Sequence, residues 1–204
     1  MQPHTDINPE IPAEFVHQYE QERARRLRRR VAIYCIVALA LLVSSLVGSA
    51  FEYAEFGALL PGSGIELAAD FIHIAIFTTA LVLVLRIPFD RRGVVNLITA
   101  LIIASGAVAI FSTPYFGVAW ANPDPDITPR DANMLRGALA LTAMWLLHFI
   151  ASTLVALSPR EALRALVPLL IFYALMVLTI LDLPLIDRLK LVAVSPLVGA
   201  PGFA

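Results

Sequence analysis

Along this chain, stretches of about twenty apolar residues alternate with short segments in which arginine, aspartate and proline collect, and about 20 helical residues are what a hydrocarbon core requires. Nearly uncharged windows cover residues 31–51, 67–85, 94–115, 137–157 and 162–181, broken by Asp70 in the second and Arg164 in the fifth. A sixth apolar piece, 191–204, is short and carries Pro196 and Pro201, which makes it the weakest span. None of these windows alternates with the two-residue period of a barrel strand, and backbone groups in lipid must be satisfied within their own segment, so the pattern predicts helices. The expected fold is all-α, a polytopic membrane bundle of about six transmembrane helices over residues 31–204. A cytoplasmic tail and basic juxtamembrane helix, residues 1–30, precede it.

Local signals refine this outline. Phe15 and Tyr19 lie one turn apart and Glu22 precedes Arg26 at i,i+4, so helix is expected from Ala13 onward. Ser158-Pro159-Arg160-Glu161 has the form of a capping box with proline at the first helical position, which starts the fifth helix after a tight turn and pairs it with the fourth as an antiparallel hairpin. Pro168 is a candidate kink. Ala104, Ser105, Gly106 and Ala107 let backbones approach, so the third helix is expected to be central or dimer-forming.

Composition agrees with the pattern: 59% of the 204 residues are hydrophobic and 15% charged, and mean hydropathy is +0.79, which excludes an ordinary soluble enzyme. A net charge of -1 leaves no overall basic field for nucleic acid, and one cysteine excludes an intrachain disulfide and a multi-cysteine metal site. Charge placement is more informative. Arg23, Arg25, Arg26, Arg28, Arg29 and Arg30 precede the first span, Arg86, Arg91 and Arg92 follow the second, and Arg160 and Arg164 follow the fourth; the opposite side holds Arg130, Arg136, Arg188 and Lys190. The positive-inside rule then puts the N-terminus in the cytoplasm. Gly48 and Ala50 mimic a signal cleavage site, but the apolar run before them exceeds the 7–15 residues of such a signal and follows a long polar lead, so it is read as an uncleaved span.

Ionisable groups at membrane depth are costly and mark candidate sites. Asp70 and His73 are i,i+3 on the second helix and could hydrogen-bond to each other; His148 lies mid-way along the fourth, with Trp145 one turn earlier. These four residues are the ligand-binding candidates, with a pocket open to the outside as the leading reading. Paired histidines also suit a haem or pigment, although the two sit at different depths; a proton relay through Asp70 and His73 would need further groups, and 74–85 supplies only Thr78 and Thr79. The plainer alternative makes Asp70 a helix-start carboxylate and each histidine the donor of one interhelical bond, with Asn96 as further interhelical glue and Cys35 as a small buried hydrophobe. Docking candidates are Phe15, Tyr19 and Arg26 on the basic helix and Trp120 in the long outer loop 116–136. Asp124 and Asp126 of that loop lack the glycine and distal acid of a calcium loop. No Walker, Rossmann, HExxH, GxSxG or zinc pattern occurs, so no catalytic or metal residue and no enzyme activity are expected, and the residues name no cofactor.

The arginine-rich lead, the six spans with short turns, Ser-Pro-Arg-Glu-Ala-Leu-Arg at 158–164, and Pro196 followed by Ala200-Pro201-Gly202 resemble the N-terminal six-helix membrane modules of multidomain bacterial signalling proteins. In those proteins a phosphatase, nucleotide cyclase or kinase domain follows the last helix. The resemblance implies a bacterial inner-membrane sensor and anchor that couples an outside or membrane signal to a cytoplasmic effector, as a detached module or a piece of a longer chain. The alternative is an accessory structural subunit of a larger membrane complex, and below it a small transporter or pigment protein. Expected partners are the bilayer and a second copy or other membrane subunits.

Overall fold

The computed structural model describes residues 13–57, 63–120, 128–155 and 157–198, and over them the chain forms six helices: α1 (Ala13–Phe56), α2 (Ser63–Arg86), α3 (Arg91–Trp120), α4 (Pro129–Val155), α5 (Pro159–Thr179) and α6 (Leu185–Val198). The protein is an all-α helical bundle, and α1 to α5 are long and apolar enough to cross a membrane. The described part of α6 has 14 residues, about 21 Å at 1.5 Å per residue, short of the roughly 30 Å hydrocarbon core.

The basic juxtamembrane helix and the first span are one rod. α1 runs unbroken through 44 residues, about 66 Å of helix, so a large part of it projects beyond the apolar layer. It ends at Gly57, whose N–H still donates to the Tyr53 carbonyl at 2.9 Å and whose φ of 69° then turns the chain out of the helix, a left-handed stop that suits glycine. Arg26 meets Glu22 at 2.9 Å as the spacing predicts.

Helix starts are set by short polar side chains. Asp90 accepts the Gly93 N–H at 2.8 Å and opens α3. The Ser158 hydroxyl accepts from the Glu161 N–H at 3.4 Å while the Glu161 carboxylate accepts from the Ser158 N–H at 2.9 Å, so the expected capping box is formed. Thr128-Pro129-Arg130-Asp131 repeats that pattern at the start of α4: Thr128 Oγ1 accepts from the Asp131 N–H at 3.2 Å and donates to the Asp131 carboxylate at 2.6 Å. The helices therefore reach further into the outer loop than the apolar pattern indicates, since residues 116–120 continue α3 and 129–136 belong to α4. α5 continues through Pro168.

α3 sits at the centre and packs against α1, α2, α4 and α5, as its small residues predict. A side chain at Gly106 would put its Cβ 2.5 Å from Leu169 Cδ2 of α5, and the surrounding core includes Ile98, Ile102, Met144, Tyr173 and Met176. Tyr173 donates its hydroxyl to the Gly137 carbonyl at 3.1 Å, which ties α5 to α4. Two clasps mark the basic end. Arg28 of α1 donates to the Val84 carbonyl of α2 at 3.2 and 3.0 Å, and Arg91 of α3 meets Glu161 of α5 at 2.7 Å.

At the opposite end, α6 begins at Leu185, six residues before the expected 191, because Asp187, Arg188 and Lys190 are spent on anchoring it. Asp187 accepts from Arg130 at 2.7 and 2.9 Å and meets Lys190 at 3.4 Å, while Arg188 donates to the Leu178 and Leu183 carbonyls at 2.6 and 2.7 Å and so covers the exposed end of α5. Further along, Trp145 Nε1 donates to the Ser195 carbonyl at 3.1 Å. Residues later in α4 thus meet residues later in α6, so the two helices run in the same sense.

Candidate functional site

A cleft of about 300 Å³ opens among the first four helices, lined by Tyr34, Val37, Ala38, Leu41 and Leu42 of α1, His73 and Phe77 of α2, Ala109 of α3, and Ala143, Leu146, Leu147 and Ile150 of α4. Val37, Leu41, Leu146 and Ile150 are exposed, so its mouth lies between α1 and α4 on the surface that faces lipid. His73 stands 13 residues before Arg86 and ten after Ser63 in α2, about 20 Å and 15 Å along the axis, which places the cleft near mid-depth. The cleft thus opens at the side of the bundle, between α1 and α4, whereas the expected pocket opened to the outside. α2 starts at Ser63 rather than near residue 67, and this sets His73 deeper than the apolar window suggests.

His73, 9% exposed, turns Nε2 to the Ser105 carbonyl of α3 at 3.0 Å. Phe77 stacks against the ring, with centroids 6.5 Å apart and planes at 30°, and Tyr34 of α1 meets Phe77 edge-on at 5.7 Å. One hydrogen bond and one stacked ring thus fix the imidazole. The anticipated Asp70–His73 bond is not formed among the described residues; His73 instead turns its Nε2 across the helix interface to α3. Asp70 is 8% exposed, does not line the cleft, and its Oδ2 has no hydrogen-bond partner among the described residues.

The remaining candidates separate. His148 is 4% exposed and its Nδ1 has no hydrogen-bond partner among the described residues, so the interhelical bond of the plainer alternative is not seen at that atom; the edge of Trp145 meets it at 6.0 Å. Neither lines the cleft, and Trp145 serves instead to clasp α6. Two histidines facing one macrocycle are therefore not assembled here. Asn96 is exposed and makes no interhelical bond among the described residues, whereas Cys35 is buried as expected. Phe15, Tyr19 and Arg26 stand exposed on the arm of α1. Trp120 closes α3, but its side chain, with Asn122, Asp124 and Asp126, lies outside the described residues. Among the described residues no group of three or more His, Cys, Asp or Glu is placed to hold a metal ion.

Sequence reasoning missed Tyr34 and the Arg130–Asp187 pair. Tyr34 carries a hydroxyl within an apolar window, a signal of the same kind as His73, while Arg130 and Asp187 lie 57 residues apart and become partners only once α6 folds back along α4. The Arg130 hydrogen bond, against the opposing effect of burial, holds the Asp187 carboxyl below the usual carboxylate range, and Lys190 adds to it. Comparison with protein-family models, curated proteins and solved structures finds no match to this chain.

Proposed function

We propose that the protein is a membrane sensor and anchor module in which occupation of the cleft moves α1 and, with it, a basic cytoplasmic arm. The observation that carries this reading is the continuity of α1: the helix that lines the cleft with Tyr34, Val37, Ala38, Leu41 and Leu42 is the same unbroken helix that bears Arg23 to Arg30. A rigid rod transmits at one end a tilt imposed at the other. α1 also has the least buried apolar window of the five spans, so a larger share of its surface is free of the other helices. By the positive-inside rule the arm lies in the cytoplasm, and the six-helix resemblance makes the membrane a bacterial inner membrane. Phe15 and Tyr19, exposed one turn apart, offer the arm an effector-docking face.

The test is a distance measurement between nitroxides at Glu20→Cys on the arm and Arg92→Cys at the start of α3, in a Cys35→Ala background. Occupation of the cleft by a lipophilic probe should shift the distance distribution, as expected when a ligand favours one of two states. An unchanged distribution with the cleft demonstrably filled would defeat the coupling model. A second reading, an accessory subunit of a larger membrane complex, draws on the same exposed Phe15 and Tyr19; it expects stable co-purification with other membrane proteins and no response of α1 to cleft occupation.

A further inference from the structure

A carbonyl oxygen only accepts hydrogen bonds, so the contact between His73 Nε2 and the Ser105 carbonyl fixes the ring proton on Nε2. In the neutral imidazole Nδ1 is then a lone-pair acceptor, and none of the described residues donates to it. The ring is held by Phe77 in a cleft whose other walls are almost wholly hydrocarbon. Within lipid no water competes for such an acceptor, so a donor delivered there gains more than it would in solution. At about 300 Å³, the cleft is at the small end of the roughly 300–1,000 Å³ range of ligand pockets, which suits one hydrocarbon chain better than a fused-ring cofactor.

Resting on the reading of this cleft as the sensory site, we infer that its ligand is a single-chain lipid whose head carries an O–H donor, a hydroxyl or a protonated carboxyl. The chain lies along Leu41, Leu146 and Ile150 and the head donates to His73 Nδ1. Tyr34, whose hydroxyl also has no partner among the described residues, is the second polar side chain available to the head. The lipid reaches the cleft sideways between α1 and α4, so no aqueous path is needed.

The experiment is photolabelling of the full chain in lipid nanodiscs with a diazirine-bearing hexadecanol, with unlabelled dodecyl competitors matched to one another in chain length. Dodecanol or dodecanoic acid should compete about tenfold better than dodecyl methyl ether, the factor that one net hydrogen bond supplies. The stronger of the first two identifies the head as hydroxyl or carboxyl. In His73→Leu the advantage over the ether should vanish. Because that buried change can perturb folding, Leu146→Trp, at the exposed mouth, is the second variant and should abolish labelling of the cleft helices while the protein stays folded. Equal competition by alcohol, acid and ether, or undiminished labelling in Leu146→Trp, would overturn the inference. Labelling requires no output from the arm, so a labelled protein whose nitroxide distances stay fixed refutes the coupling model alone.

Discussion

α3 and α1 both present long uncharged windows, yet they are held in the bundle in different ways. Of the apolar window of α3, 44% is buried against other helices, compared with 22% for α1. Between helices in lipid there is no hydrophobic driving force, so association depends on how closely backbones approach and on polar contacts. α3 has Ser105 and Gly106 at its contacts with α2 and α5, where a side chain on Gly106 would collide with Leu169. α1 instead turns Ile33, Ile36, Leu41, Val47 and Phe51 outward, and nothing lies within 4 Å of a Cβ built on Gly48. Close packing fixes the centre; the margin is left with room to move.

The strongest test of this contrast substitutes the two glycines identically. Gly106→Leu should cost about 1–3 kcal/mol through overpacking and lower the melting temperature in detergent. Gly48→Leu should leave it unchanged. Equal melting of the two variants would erase the distinction between a packed centre and a loose margin. A smaller effect is expected at α6, which is fastened to α4 through Asp187. Asp187→Asn should increase hydrogen exchange across residues 185–198 at neutral pH while α3 stays protected. The wild type should show the same release only in acid: the folded carboxyl titrates below its unfolded value of about 3.9, so its contribution is complete above that value and is lost as pH falls through the depressed one. Release of α6 at neutral pH in the wild type would show that the Arg130 clasp does not hold it.

Fold class was legible because it depends on runs of twenty residues, and each run averages over many side chains. The centrality of α3 was legible as well, through Ala104 to Ala107. Helix starts are legible from short polar signals: Ser158-Pro-Arg-Glu and Thr128-Pro-Arg-Asp are the same device, and the second, taken by the same rule as the first, moves the start of α4 back to Pro129 and shortens the outer loop. The site was only partly legible. His73 stood out as an ionisable group in an apolar window, but its partner is a backbone carbonyl, which no residue type announces, and the cleft is a shape left where side chains of four helices fail to meet. The more obvious neighbour, Asp70, lies one turn away and outside the cleft lining. Sequence spacing places two groups on one face of a helix without saying what that face meets.

Arg28→Ala addresses the loose margin directly, with the smallest global effect. Its two hydrogen bonds to the Val84 carbonyl are the polar clasp between α1 and α2 at the basic end, and losing them should reduce overall stability by about 1 kcal/mol or less because the group is partly exposed and water replaces the contact. The local consequence should be larger. With Ala24, Val31, Tyr34 and Cys35 as the remaining buried side chains on the adjoining turns of α1, a change in the rod's tilt would turn about this patch. The nitroxide distance between Glu20→Cys and Arg92→Cys should broaden, while the Gly106 neighbourhood shows unchanged exchange. A lowered melting temperature with no broadening would mean that Arg28 supports the whole bundle and that α1 is as firmly seated as α3. Broadening without a thermal change would establish that α1 is mobile against a fixed core, the mechanical condition a cleft-to-arm relay requires.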